Sequence, residues 1–175
     1  KEWNSERAMV KPFIDMAVES HNSARVEARW HNYEKAGHLY QEAIKNYRNA
    51  VNQNPKYYLQ DLLDRIEHVL EEYINTVFNL KTSGYKLKDE KGIREFVVFM
   101  DSLKDEEERY VDPYDIARAF LSIGDFYYYE AKDAAKAYEF YNRVKDSNCE
   151  RPFINREAFF KMGKILFDQQ RFKEA

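Results

Sequence analysis

The chain has 175 residues, 44% hydrophobic, 34% charged and 16% aromatic, with a net charge of −3. That composition excludes a disordered segment, and only five Gly and four Pro favour long uninterrupted elements. The charge leaves no basic footprint for nucleic acid, no stretch is apolar enough to span a membrane, and the lone Cys149 excludes a disulfide framework or a cysteine-rich metal site.

The chain opens polar and charged, and Lys11-Pro12 marks the expected start of a first long helix, in which Phe13, Met16, Ala17 and Ser20 keep helical spacing. Val26, Trp30, Tyr33, Gly37, Tyr40, Ile44, Tyr47 and Val51 then alternate steps of four and three. Such a seam, with a period of about 3.5, belongs to helices packed side by side at shallow angles. It has two readings. Either 24–36 and 39–52 are two helices broken at Ala36-Gly37-His38, or one helix of about 30 residues runs through Gly37. The unbroken phase favours the continuous helix, because a single Gly costs a helix only about 1 kcal/mol.

Asn54-Pro55 breaks the chain, and a wide apolar stripe follows over 57–81, including Leu62, Ile66, Val69, Leu70, Tyr73, Val77 and Phe78. A short connection makes this helix an antiparallel neighbour of the preceding one, and Thr82-Ser83-Gly84 is expected to end it. Asp89 should open the next helix, with Ile93, Phe96, Val97, Met100 and Leu103 inward, followed by a solvated acidic run at 105–108. In Asp112-Pro113-Tyr114-Asp115 an N-cap, a proline at the first helical position and an acid in the first turn coincide.

Two stretches then match position for position. Ala119, Phe120, Ile123, Gly124, Tyr127 and Tyr128 correspond to Ala158, Phe159, Met162, Gly163, Leu166 and Phe167, each 39 residues later. The first copy breaks at Ala131-Lys132-Asp133 before a helix carrying Ala137, Tyr138, Phe140, Tyr141 and Val144. The second breaks after Asp168 and reaches Phe172 and Ala175. Each Gly sits where two helices would touch.

This pattern resembles the tetratricopeptide repeat, a stacked helix–turn–helix unit of about 34 residues. The polar connection 145–155, holding Cys149 and Pro152, absorbs the longer period. The resemblance covers 113–175 well and 36–55 in part. It implies an all-α, right-handed helical-repeat solenoid with a long N-terminal helical hairpin. Residues 1–112 would form that hairpin and degenerate repeats, and 113–175 true repeats, the last one incomplete. By the same resemblance, a concave groove would be lined by Arg118, Leu121, Ser122, Asp125, Tyr128 and Tyr129 from one repeat. The next would contribute Glu157, Phe160, Lys161, Lys164, Phe167 and Asp168. Lys161 and Lys164, one turn apart, would suit a carboxylate clamp. The plainer reading makes Tyr128 and Phe167 packing residues and the two lysines a solvated face.

Other sites are weaker. His31, Glu34 and His38 would share one face of a continuous helix, but not at metal-ligand spacing, and His21 and His68 show no convergence in the sequence. No glycine-rich phosphate loop or nucleophile elbow occurs, and Cys149 has Asp146 and Glu150 nearby, which does not activate a thiol. The expectation is a non-catalytic scaffold without a cofactor that assembles or tethers a protein complex. The alternatives are a groove that binds a short linear peptide and, from another class, a metal-dependent or catalytic helical domain. Residues 151–175 carry six basic and three acidic side chains, against a surplus of six acids before them. The opening Lys1-Glu2-Trp3 and the incomplete last repeat read as a fragment, with an apolar end expected to meet further repeats, a protein partner or a second copy. No targeting segment assigns a compartment.

Overall fold

The structure, a computed structural model, describes residues 1–78, 90–104, 112–147 and 149–169. Among them are seven α-helices, two π-helical turns and no strand. The helices are α1 (Glu2–Arg29), α2 (Tyr33–Val51), α3 (Leu59–Tyr73), α4 (Glu90–Lys104), α5 (Pro113–Asp125), α6 (Ala134–Asp146) and α7 (Pro152–Asp168). The chain divides into two compact units, Lys1–Val111 and Asp112–Ala175.

In the first unit α1 and α2 form an antiparallel hairpin. Val10, Ala17 and Ala24 are the fully buried positions of α1, and their small or modest side chains let the helices approach closely. Near the turn, Glu27 accepts hydrogen bonds from Asn32 and Lys35 at 2.8 and 2.6 Å. At the far end, the Glu6 carboxylate accepts from the Lys56 and Tyr57 amides at 2.5 and 2.7 Å. This ties the start of α1 to the connection that leads into α3.

Two boundary expectations are corrected here. Pro12 does not start α1 but lies inside it. It is on the exposed face, where water can satisfy the carbonyl that the missing amide leaves open. The expected continuous helix of the seam is also broken, neither running through 30 nor turning at 36–38. The break falls at Trp30–Asn32, where His31 takes φ 61° and the Asn32 amide bonds back to the Glu27 carbonyl at 2.9 Å. Gly37 is helical and buried in α2, where a Cβ would lie 3.4 Å from the Tyr73 ring.

The Asn54-Pro55 break holds, with Asn54 at φ 55°. α3 returns antiparallel to α2: Tyr40 stacks on Tyr73 with centroids 5.5 Å apart, and Gln41 donates to the Tyr73 hydroxyl at 2.9 Å. After Tyr73 the helix widens into a π turn, Ile74–Phe78. α4 adds Phe96 edge-on to Tyr73 at 5.5 Å, and Ile93, Phe96, Met100 and Leu103 are buried as the spacing predicts, while Val97 is half-buried. Fully burying residues such as Ile44, Leu62, Ile66 and Leu70 contributes about 1.5–3 kcal/mol each.

In the second unit the local signals hold. Asp112 caps α5 by accepting from the Tyr114 amide at 2.8 Å, with Pro113 in the first turn. α5 runs into a π turn, Phe126–Glu130, and Lys132 at φ 56° reverses the chain before Asp133 caps α6 through the Lys136 amide at 3.0 Å. α6 seats its aromatic face on α5 and the π turn, with Phe140 6.3 Å from Phe120 and stacked on Tyr127 at 5.4 Å. α7 packs on α6 and meets α5 in parallel. Tyr114 meets Phe153 at 6.2 Å, Asp125 meets Lys161 at 2.7 Å and Tyr128 meets Asp168 at 2.8 Å, in the same order along both helices.

The matched stretches differ in what covers their outer positions. Ala119/Ala158, Ile123/Met162 and Tyr127/Leu166 are buried in both, but Phe120 is 1% exposed and Phe159 51%. Among the described residues a Cβ on Gly163 would meet nothing within 4 Å. The helix expected to cover that face, carrying Phe172 and Ala175, lies outside the described residues. So do Thr82-Ser83-Gly84, Asp89 and the acidic run at 105–108.

Candidate functional site

The expected groove residues separate into three groups. Arg118 and Leu121 are drawn inward: Leu121 is buried, and half-buried Arg118 lies 3.8 Å from Asp115 and 5.4 Å above the Tyr114 ring. Leu121 therefore cannot line an open groove, because its side of α5 faces the packed interior. Ser122 is half-buried as well.

The second group closes the space between α5 and α7. Lys161 donates to both Asp125 oxygens at 2.7 and 2.9 Å and also reaches Glu157 at 3.0 Å. The Tyr141 hydroxyl of α6 donates to the same Asp125 carboxylate at 2.7 Å, so one acid ties three helices together. Burial pushes the Lys161 ammonium down, but the bonds and charges of Asp125 and Glu157 outweigh it and hold the pKa above the ordinary value. Burial and then the Asp125 bond push the Tyr141 hydroxyl far up. Lys161 is consequently committed to internal carboxylates. The two lysines that would suit a carboxylate clamp thus have different surroundings: Lys164 lies 5.6 Å from the Tyr128 ring centroid.

The third group is on the surface. The Tyr128 hydroxyl donates to Asp168 at 2.8 Å, and that bond holds the hydroxyl in its protonated form, raising its pKa. Tyr129 is exposed and meets the Tyr128 ring edge-on at 4.8 Å. Two residues apart on a helical turn, Tyr127 points inward and Tyr129 outward. On α7, Phe160 is 73% exposed, and Phe153 and Phe167 are exposed seven residues to either side. Phe153 and Phe159 were not among the expected surface residues. Their signal in the sequence was that the phenylalanines of α7 fall on the side opposite Ile154, Ala158, Met162 and Ile165, since a helix apolar on two sides is one that packs on both.

A second arrangement, in the first unit, escaped the sequence reading. His21 and His68, which showed no convergence, come together on Glu72, their ring centroids 6.2 Å apart. His21 Nε2 lies 3.0 Å from Glu72 Oε2, and His68 Nε2 lies 3.7 Å from it. Arg25 donates to both carboxylate oxygens at 2.7 Å, and Tyr40 adds a bond at 3.1 Å. Burial pushes Glu72 up, but Arg25, His21 and Tyr40 reverse that and bring it to about 2. The ionised acid accepts, so Nε2 of His21 carries the proton. Burial lowers the His21 pKa, opposed by Glu72 and assisted by Arg25. Burial also raises the Tyr40 hydroxyl to about 12.

Beside this cluster α1, α2 and α3 enclose an open cleft of about 370 Å³, lined among others by His21, Asn22, Arg25, Tyr47, Arg65 and His68. Both of its arginines are paired within the unit, Arg25 with Glu72 and Arg65 with Asp61 at 2.8 Å. The cluster therefore acts as a polar clasp between α1, α2 and α3. The face that would align His31, Glu34 and His38 does not exist, because the helix breaks at His31. There, His31 pairs with the Tyr33 hydroxyl at 2.8 Å, Glu34 with Lys91 at 3.4 Å and His38 with Glu95 at 2.6 Å. Cys149 is buried rather than set in an open polar connector.

Comparison with protein-family models, with curated proteins and with solved structures gives no match.

Proposed function

We propose that this chain is a non-catalytic, tetratricopeptide-like scaffold whose second unit holds a protein partner. One observation carries the reading: α5 and α7 bear the same residue pattern 39 residues apart and lie side by side, parallel and in register, with α6 packed on both. Stacking of like helices on like helices is how repeat arrays build an extended surface. A right-handed solenoid follows if each added pair keeps this register.

The binding residues in this reading are Tyr128, Tyr129, Phe160, Lys164, Phe167 and Asp168, joined by the exposed Phe153, while Arg118, Leu121, Asp125 and Lys161 shape the support beneath them. Binding is passive, through burial of rigid aromatic side chains with charges setting orientation. The commitment of Lys161 to Asp125 favours this over a groove that clamps a peptide carboxylate.

Quantitative affinity capture from cell extract tests the reading, comparing the full chain with a Phe160→Ser, Phe153→Ser double variant. A specific protein should be recovered with the native chain and depleted at least about tenfold with the variant. Equal recovery by both chains would dismiss the surface as the binding site.

A further inference from the structure

α7 is apolar on two opposite sides. Ile154, Ala158, Met162 and Ile165 are buried against the rest of the second unit. On the other side Phe153 is 49% exposed, Phe159 51% and Phe160 73%, and among the described residues no atom would meet a Cβ on Gly163 within 4 Å. Large apolar groups grouped on one face of a helix mark an interaction surface, in contrast to singly scattered ones.

Spacing and charge together define what fits. Phe153 and Phe160 are seven residues apart, and Phe159 and Gly163 lie one turn apart beside them, so the face is a straight strip suited to another helix crossing at a shallow angle. The second unit already contains such a seating. In the matched stretch of α5, Gly124 receives the Tyr141 ring of α6, and Phe120 is covered. Gly163 offers the same close approach to a large side chain. Beside Phe160 itself the exposed charges are basic: Arg156 stands one turn before it and Lys164 one turn after. Of the nearer acids, Glu157 pairs with Lys161, and Asp168, further along the helix, accepts from Tyr128.

A second copy of the chain fits poorly. A two-fold pair centred on Phe160 would bring Arg156 of one α7 opposite Lys164 of the other, and like charges across an interface oppose pairing. We infer that this face of α7 docks an acidic amphipathic helix of a partner protein, with a large apolar side chain seated at Gly163 and carboxylates opposite Arg156 and Lys164. The inference rests on the scaffold reading and adds the class of partner to it.

The test uses the full 175-residue chain. Two synthetic helical peptides of about 20 residues serve as probes, sharing one Leu/Phe heptad face and carrying Glu or Lys on the flanks. Calorimetry should show the Glu peptide binding at least about tenfold tighter than its Lys twin. Phe160→Ser should weaken the Glu peptide at least about tenfold without changing the melting temperature. The double change Arg156→Glu, Lys164→Glu should reverse the preference, which keeps the result interpretable if a Phe variant misfolds. Equal binding of both peptides overturns the inference, as does full retention by a folded Phe160→Ser chain. Sedimentation showing a dimer that Phe160→Ser dissolves would also overturn it, because the occupant would then be a second copy. If neither peptide binds while affinity capture still depends on Phe153 and Phe160, the acidic-helix inference fails and the scaffold reading stands. If both fail, both are wrong.

Discussion

The ring of Tyr141 occupies the space that a side chain at Gly124 would fill: a Cβ there would lie 2.5 Å from Tyr141 Cε1. Tyr141 is fully buried and its hydroxyl is held by Asp125, so the ring cannot swing aside. Gly124→Ala should therefore destabilise the second unit by about 1–3 kcal/mol, the cost of overpacking, despite the gain in helix propensity. Gly163→Ala, in mid-helix with no described atom near the new Cβ, should stabilise by up to about 1 kcal/mol. Gly37→Ala, at van der Waals distance from Tyr73, should fall between them. Urea unfolding followed by circular dichroism on the three variants checks the order.

Asp125 accepts from Lys161 and Tyr141 together. Asp125→Ala leaves a buried hydroxyl without its acceptor and a half-buried ammonium with Glu157 alone, and should cost roughly 2–3 kcal/mol. Lys161→Met, which retains the aliphatic stem and the Tyr141–Asp125 bond, should cost only about 1 kcal/mol. Because the Lys161 pKa is raised on folding, its contribution is fully present below 10.5 and is lost as pH rises through the folded value. Thermal melts of the native chain and Lys161→Met should therefore converge at strongly alkaline pH.

The Glu72 clasp gives the first unit a pH dependence of opposite sign. Glu72 falls from 4.5 to about 2 on folding, so its contribution, on the order of 3 kcal/mol, is present above 4.5 and is lost as pH falls from there towards 2. The His21 pKa is lowered on folding, so the unfolded chain takes up a proton first and stability declines as pH drops below 6.5. Acid titration should show two steps of loss. Glu72→Gln should be less stable at neutral pH and lack the lower step; a native-like lower step in that variant would show that other carboxylates produce it.

Lys132 turns the chain between the π turn and α6 at φ 56°, a conformation that costs a residue with a Cβ about 1–2 kcal/mol. Lys132→Gly should be neutral to stabilising by up to about 1 kcal/mol, measured as a rise in melting temperature. A clear loss of stability would mean that the lysine side chain contributes to the turn.

Features that depend on local backbone chemistry were legible in the sequence. Asp112-Pro113 starts α5 and Asn54-Pro55 separates α2 from α3 because capping and proline geometry act within a few residues. The all-helical character and the inward faces of α3 and α4 followed from periodicity. Features created by packing were not. Trp30–Asn32 contains neither Gly nor Pro, and its turn is held by Glu27 reaching Asn32 and Lys35 across the hairpin. Pro12 resembled a helix start, yet the long contact of α1 with α2 carries the helix past it. His21, His68 and Glu72 meet only because the α1–α2 hairpin returns into α3, a relation that no spacing along one helix expresses. Lys161 and Lys164 formed a plausible pair on one face, but Asp125, 36 residues away, claimed one of them.

The central claim, that the outer face of α7 holds a protein, is most directly tested by placing a photo-crosslinking amino acid at single positions of the chain in cells. Positions 153, 156 and 160 on α7 should each trap the same protein, and position 145, exposed on α6, should not. Trapping of that protein with equal efficiency at 145 and 160, or no protein trapped from α7 at all, would contradict the account.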